Sequence, residues 1–121
     1  PVINWSSFVL TGDLTTYFYR YWFPGLPWEN PEHYWARSPL SKVGNVKTPT
    51  AVLSGEADLR TPISEAEQYY QALRLRDVPT RLIRIPGASH DLAGRPTGLI
   101  AKTTNTLQWF AEHGGPPAPK P

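Results

Sequence analysis

The sequence contains no cysteine and no methionine among its 121 residues. The absence of cysteine excludes a disulfide scaffold, a thiolate nucleophile and a cysteine-based metal site. Because this composition also fits a reducing compartment, we expect a cytoplasmic protein. A chain without methionine that begins at Pro1 further leads us to expect that an upstream segment has been removed.

Long apolar runs and an excess of charge of one sign are also missing. No apolar run approaches the ~18 residues that would cross a bilayer, and the first residues lack the basic and apolar regions of a secretory signal. The formal net charge is only +2, and the lysines and arginines are scattered. We therefore expect no membrane and no nucleic-acid partner. The three histidines are not spaced as metal ligands, so we expect no metal and no cofactor.

Aromatic residues are abundant instead: five Trp, six Tyr and four Phe, most of them within residues 1–48. This region predicts a helix over about Leu14–Trp22 and a short helix over about Pro31–Ser38, with Asn30 as its N-cap. The aromatic side chains either form the core of a small domain or line a substrate pocket. The candidates for the pocket are Tyr17, Tyr19, Tyr21, Trp22 and Trp28.

The second half of the chain is more regular and predicts strand, helix, strand, helix. The strands are Thr50–Ser54 and Thr80–Ile85; the helices run from Ser64 through Leu73 and over about Thr97–His113. Connections of this length favour a parallel pair of strands, which makes the fold class α/β. The last helix is expected to turn one side inward: Leu99, Ile100, Thr103, Leu107 and Phe110. Residues 1–113 are then one domain portion, and the Pro-rich residues 114–121 are expected to be a disordered tail.

Asp58 and His90 each follow a predicted strand. Because parallel strands end at the same edge of a sheet, the two loops can meet there, where α/β sheets bind their ligands. A histidine can take a proton near neutral pH, and a carboxylate can hold its other ring nitrogen in one tautomer. This pair predicts two members of a Ser-Asp-His site.

No G-x-S-x-G turn, which would carry the serine, occurs in the chain. Ser54, Ser64 and Ser89 lie near the predicted site, but none is on a Gly-flanked turn. Glu56 and Asp58 also suggest the paired acids of a glycosidase, although neighbouring loop carboxylates more often face water.

Several separated motifs resemble the C-terminal end of the prolyl oligopeptidase family, in particular its acylaminoacyl-peptidase and dipeptidyl-peptidase-like branch. They are the runs 1–22 and 34–46 with Ser38-Pro39-Leu40, the segment 48–68 with Gly55-Glu56-Ala57-Asp58-Leu59-Arg60-Thr61-Pro62, and Gly87-Ala88-Ser89-His90 followed by Arg95-Pro96. The resemblance implies the C-terminal portion of an α/β-hydrolase domain, preceded by the aromatic helical segment. It also implies a serine peptidase that hydrolyses peptide or acyl-aminoacyl bonds.

Residue by residue, the resemblance implies that Asp58 and His90 are catalytic and that Arg60 binds substrate. The serine would lie upstream of Pro1, so we expect the isolated chain to be inactive. Asp91 departs from the family, where many members have Gly, and adds a carboxylate that could perturb His90. The expected partners are a peptide substrate and either the missing N-terminal part or a second copy of the chain. The alternative function is a non-catalytic, self-associating α/β module.

Overall fold

The computed structural model describes residues 1–115, which form five α-helices, one 3₁₀ helix and two strands. In chain order these are α1 Trp5–Thr11, α2 Thr15–Trp22, α3 Pro31–Arg37, the 3₁₀ helix Pro39–Asn45, β1 Thr50–Gly55, α4 Ile63–Arg74, β2 Thr80–Ile85 and α5 Pro96–His113. Within this part of the chain, none of the helices has the length and apolar content needed to cross a membrane.

The two strands lie side by side and parallel. Their register runs from Thr50 opposite Thr80 to Gly55 opposite Ile85, so both strands end at the same edge. Helix α4 connects the two strands and packs against both of them. Helix α5, which follows β2, also packs against both strands. Ala66 of α4 is fully buried because it lies on the apolar side of that helix. The predicted α/β arrangement with a parallel pair is confirmed.

The aromatic half of the chain has its own core. Phe8, Val9, Phe23 and Tyr34 are buried together, with further apolar side chains packed around them. The rings of Phe23 and Tyr34 are stacked with centroids 3.9 Å apart, and the Tyr34 hydroxyl donates to the carbonyl of Gly25 at 2.8 Å. The Tyr34 hydroxyl therefore has a hydrogen-bond partner although its ring is buried, which is usual for the polar groups of buried Tyr and Trp side chains.

Helix α1 is absent from the expectations above, although part of its N-terminal capping is local: the Asn4 side chain accepts the backbone N–H of Ser6 at 3.1 Å. The buried carboxylate of Glu65, in α4, accepts hydrogen bonds from the backbone N–H groups of Ile3 and Asn4, each at 2.9 Å, and from the Ser7 hydroxyl. A helix start leaves N–H groups without helical partners, and a negative charge there is favourable. This charge comes from a residue about sixty positions away, so the neighbouring sequence does not reveal this second contribution to the start of the helix.

One detail of the predicted helices holds only in part, and another is wrong. Helix α3 begins at Pro31 with Asn30 at its N-cap position, as expected, but the Asn30 side chain makes no capping hydrogen bond. Helix α5 does not turn the predicted side inward. The apolar residues of that side are exposed, namely Leu99 50%, Ile100 64%, Leu107 65% and Phe110 60%, and Thr103 is exposed too. Gly98 and Trp109 are buried instead.

The tail that we predict to be disordered covers residues 114–121. Its residues 116–121 lie outside the described residues. The described part of α5 ends at His113, as expected, with Gly114 donating its N–H to the carbonyl of Phe110 at 2.7 Å.

Candidate active site

The loops that follow β1 and β2 are bonded to each other by their backbones. In the Asp loop, residues 56–62, Glu56 donates its N–H to Ile85 at 3.1 Å, and Ala57 donates to Ala88 at 3.0 Å. Ala88 belongs to the His loop, residues 86–95. These bonds continue the strand pairing beyond the sheet edge and hold the two loops together.

The Asp58 carboxylate is buried, with its side chain 5% exposed, and has four donors. Its Oδ1 accepts from the backbone N–H groups of Arg60 at 2.9 Å and Thr61 at 2.8 Å. Its Oδ2 accepts from the Thr61 hydroxyl at 2.8 Å and lies 3.0 Å from Nδ1 of His90. An aspartate that bonds the backbone two and three residues ahead is typical of an Asx turn, which fixes the orientation of its side chain.

These bonds decide the charge of Asp58. Burial by itself raises the pKa of Asp58, but the hydrogen bonds from the Thr61 backbone, the His90 ring and the Thr61 hydroxyl together outweigh it and hold that pKa below its usual value. The carboxylate is therefore ionised at neutral pH and acts only as an acceptor.

The position of His90 follows from that acceptor. Because an ionised carboxylate can only accept, Nδ1 of His90 carries the proton that lies between them. A neutral imidazole in this tautomer has its lone pair on Nε2. The His90 side chain is 58% exposed, and the described residues place no hydrogen-bond partner on Nε2. The arrangement presents a proton acceptor on one side of the ring and a fixed anion on the other.

Arg60 lies beside this pair and is bound to Asp13, in the turn between α1 and α2. Its Nε is 2.6 Å from Oδ1 of Asp13, and the backbone N–H of Asp13 donates to Leu59 at 2.9 Å. The hydrogen bond that Arg60 donates to Asp13 is the largest of the causes that raise the pKa of Arg60. The aromatic segment is thereby joined to the Asp loop.

The extra carboxylate, Asp91, points into its own loop. Its Oδ1 accepts the backbone N–H of Ala93 at 3.1 Å, and its carbonyl accepts the N–H of Gly94 at 3.1 Å. Among the described residues, Asp58 is the carboxylate that contacts His90.

The three serines considered from the sequence do not contact the imidazole. Ser54 is buried in β1, and neither Ser64 nor Ser89 has a hydrogen bond to His90 within residues 1–115. The same part of the chain holds no group of three or more potential metal ligands.

Three residues that shape the site were not among the predicted site residues, namely Thr61, Gly55 and Gly98. Thr61 stands three positions after Asp58, a spacing that signals an Asx turn but not the hydroxyl contact to the carboxylate. A Cβ on Gly55 would lie 2.2 Å from the Ala88 carbonyl oxygen, and one on Gly98 would lie 2.3 Å from that of Leu92. Both glycines therefore let the backbone of the His loop pass closely, a role that only the folded chain reveals.

Comparison with known proteins identifies the relatives of this chain. The profile of the prolyl oligopeptidase family matches residues 1–116. The uncharacterized peptidase YuxL of Bacillus subtilis is 38% identical over 114 residues, and the acylamino-acid-releasing enzyme of Mus musculus is 31% identical over 123 residues. These alignments cover 93% and 95% of this chain but only 17% and 16% of those proteins.

Solved structures show the same fold. The acylaminoacyl peptidase of Pyrococcus horikoshii superimposes with a TM-score of 0.85 at 20% identity, covering 98% of this chain and 20% of that one. A puromycin-hydrolyzing peptidase of Mycobacterium tuberculosis superimposes with a TM-score of 0.80 at 21% identity, covering 94% and 17%. The chain thus spans about a fifth or less of the length of these proteins.

Proposed function

Because this chain belongs to the prolyl oligopeptidase family and has the α/β-hydrolase fold, we propose that it supplies the base and its orienting carboxylate to a serine peptidase site. The observation that carries the proposal is the 3.0 Å contact between His90 Nδ1 and the buried Asp58. In this proposal the nucleophilic serine comes from a different part of a longer protein.

The chemistry follows from the tautomer of His90. Nε2 accepts the proton of the serine hydroxyl as its oxygen attacks the carbonyl carbon of a peptide or acyl-aminoacyl bond. Asp58 stabilises the imidazolium that forms, because its negative charge is fixed 3.0 Å from Nδ1. The imidazolium then gives the proton to the departing amine, and water releases the acyl group by the same steps in reverse.

Arg60 is proposed to hold a substrate carbonyl. Its Nε is occupied by Asp13, and within residues 1–115 its two terminal nitrogens have no hydrogen-bond partner. A guanidinium held at one edge leaves donors in a fixed orientation at the other, which suits recognition of an oxygen acceptor.

The exposed side of α5 supports the proposed missing partner. Leu99, Ile100, Leu107 and Phe110 form an apolar surface, and large exposed apolar patches mark interaction sites. Next to it, a groove of about 250 Å³ lies between β1 and the end of α5, lined by residues such as Leu53 and Trp109. We propose that the rest of the hydrolase domain covers this surface.

A chimera tests this function. Residues 1–116 would replace the segment of YuxL that they match, and a fluorophosphonate probe would report on the serine. We expect labelling of a serine contributed by YuxL, with loss of labelling in His90→Ala and at least a tenfold slower rate in Asp58→Asn. Asp91→Asn is the matched control, because its carboxylate neighbours His90 in the chain but bonds within its own loop.

Two results would contradict the proposal. One is labelling of a serine within residues 1–116; the other is labelling of the folded chimera at an unchanged rate in His90→Ala. Circular dichroism of each variant would establish that loss of labelling does not come from unfolding.

The same apolar side of α5 favours the second candidate function, a non-catalytic module that associates with a second copy. Its test is the oligomeric state of the isolated chain. A stable dimer whose association is abolished by Leu107→Lys, together with a chimera that is folded but unreactive, would favour this alternative.

A further inference from the structure

Thr61 occupies a position between the two members of the proposed site. Its hydroxyl donates to Oδ2 of Asp58 at 2.8 Å and lies 3.4 Å from Nδ1 of His90. Oδ2 is also the carboxylate oxygen that faces the imidazole. One side chain thus touches both the carboxylate and the ring nitrogen that it orients.

The direction of each hydrogen bond follows from the available protons. A threonine hydroxyl has one proton, and the ionised Asp58 has none. The Thr61 hydroxyl therefore donates its proton in the hydrogen bond to Oδ2. The hydroxyl oxygen then has only lone pairs to offer toward His90. Both neighbours of Nδ1, the Asp58 carboxylate and the Thr61 hydroxyl, are acceptors, which leaves the protonated form of Nδ1 as the compatible one.

Thr61 also completes the anchoring of Asp58. The backbone N–H of Thr61 binds Oδ1 and its hydroxyl binds Oδ2, so one residue holds both oxygens of the carboxylate. The remaining donors are the N–H of Arg60 on Oδ1 and the ring of His90 on Oδ2. Without the hydroxyl, Oδ2 would depend on the imidazole alone.

We propose that Thr61 is a positioning residue. Its hydroxyl donates to Oδ2 of Asp58, stabilises the negative charge on that oxygen and keeps it directed at His90. The role in catalysis rests on the function proposed above, whereas the hydrogen bond itself does not. The other charged side chains nearby are directed elsewhere: Arg60 binds Asp13, and Asp91 binds within the His loop.

The test uses nuclear magnetic resonance on the 121-residue chain, so it does not depend on hydrolytic activity. The Cγ carbon resonance of Asp58 is followed against pH in the wild type and in Thr61→Val, which preserves shape and the backbone N–H. Because one of the bonds that lower the pKa of Asp58 is lost, we expect that pKa to rise by at least ~0.3 unit. Thr61→Ser, which restores a hydroxyl, should return it to the wild-type value.

The second readout is the Nδ1 proton of His90. Its resonance should still be present in Thr61→Val, since Asp58 remains an acceptor, but should broaden because exchange with water is faster. Thr103→Val, an exposed threonine on α5, is the matched control and should change neither readout. Thr61→Ala provides a second removal of the hydroxyl if the valine disturbs the fold.

A smaller rise or a fall in the pKa of Asp58 in folded Thr61→Val and Thr61→Ala, or failure of Thr61→Ser to restore it, would overturn the proposal. The function proposed above fails by a different measurement, the labelling of the chimera. A shift in Asp58 without any effect of His90→Ala on labelling would preserve the positioning bond and refute the peptidase assignment.

Discussion

Gly55 lies directly beneath the His loop, so that a Cβ on it would fall 2.2 Å from the carbonyl oxygen of Ala88. Backbone atoms have little room to move, and such a contact requires the loop to shift. We expect Gly55→Ala to lower the free energy of unfolding by about 1–3 kcal/mol and to separate Asp58 from His90. Urea unfolding and the loss of the His90 Nδ1 proton resonance would measure the two effects.

Gly44→Ala is the control for that substitution. Its Cβ would meet only an Arg76 guanidinium nitrogen, at 3.9 Å, which is ordinary contact. A stability change in Gly55→Ala no larger than that in Gly44→Ala would show that the close approach has no energetic consequence.

Asp58 should make the stability of the chain depend on pH. Its folded pKa is lowered from the ordinary value of 3.8, so its charge stabilises the fold above about that pH and the contribution disappears as pH falls through the lower, folded pKa. We expect Asp58→Asn to reduce stability by about 1–3 kcal/mol at pH 7, with a difference that shrinks toward pH 3. Urea titrations across this range would measure it.

Asp91→Asn provides the comparison for the pH series, because that carboxylate is exposed. If the free energy of unfolding had the same value at each pH in the wild type and in Asp58→Asn, the prediction would be wrong. The ionised form of Asp58 would then add nothing to the stability of the fold.

Glu65 is the buried anion that holds the start of α1. Replacing it with alanine leaves the buried N–H of Ile3 and the part-buried N–H of Asn4 without their acceptor. The cost for a buried donor such as that of Ile3 is about 1–3 kcal/mol. We expect Glu65→Ala to destabilise the chain strongly and to speed amide exchange in α1. Glu67→Ala, which removes an exposed ion pair with Arg84, should change stability by less than ~1 kcal/mol. Similar effects of the two substitutions would argue against the cap.

The apolar side of α5 should contribute to stability only where another part of a longer protein covers it. Leu107 is 65% exposed, so Leu107→Lys should change the stability of the isolated chain by less than ~0.5 kcal/mol. In the chimera with YuxL we expect the same change to lower the melting temperature markedly, because a charge would be buried without a partner. Thr104→Lys, exposed on the same helix, is the control. Equal melting temperatures of the Leu107→Lys and parent chimeras would contradict the proposed docking.

The strands and the helices beside them could be predicted because their signals are local. Residues 50–54 and 80–85 alternate or cluster apolar side chains, and the structure extends the first strand by only one residue, to Gly55. The parallel pairing of these strands brings the ends of both to one edge, which is why Asp58 and His90 could be selected before their distance was known.

The remainder depends on distant contacts. The carboxylate of Glu65 binds backbone N–H groups at the start of α1, about sixty positions away. The His loop passes close to Gly55, which lies in the other strand. Neither contact is visible in a short stretch of sequence. The prediction of which side of α5 faces inward was wrong for a further reason. An apolar stripe identifies a surface that is buried somewhere, but it does not identify the partner, and here the stripe is not covered by residues 1–115.

The bonds between the Asp loop and the His loop use only backbone atoms, from Glu56 to Ile85 and from Ala57 to Ala88. Since every residue except proline carries the same N–H and carbonyl groups, this pairing is largely indifferent to side-chain identity. A substitution of the side chain at position 56, 57 or 88 therefore leaves the donors and acceptors of this pairing in place, unless proline removes the N–H at position 56 or 57.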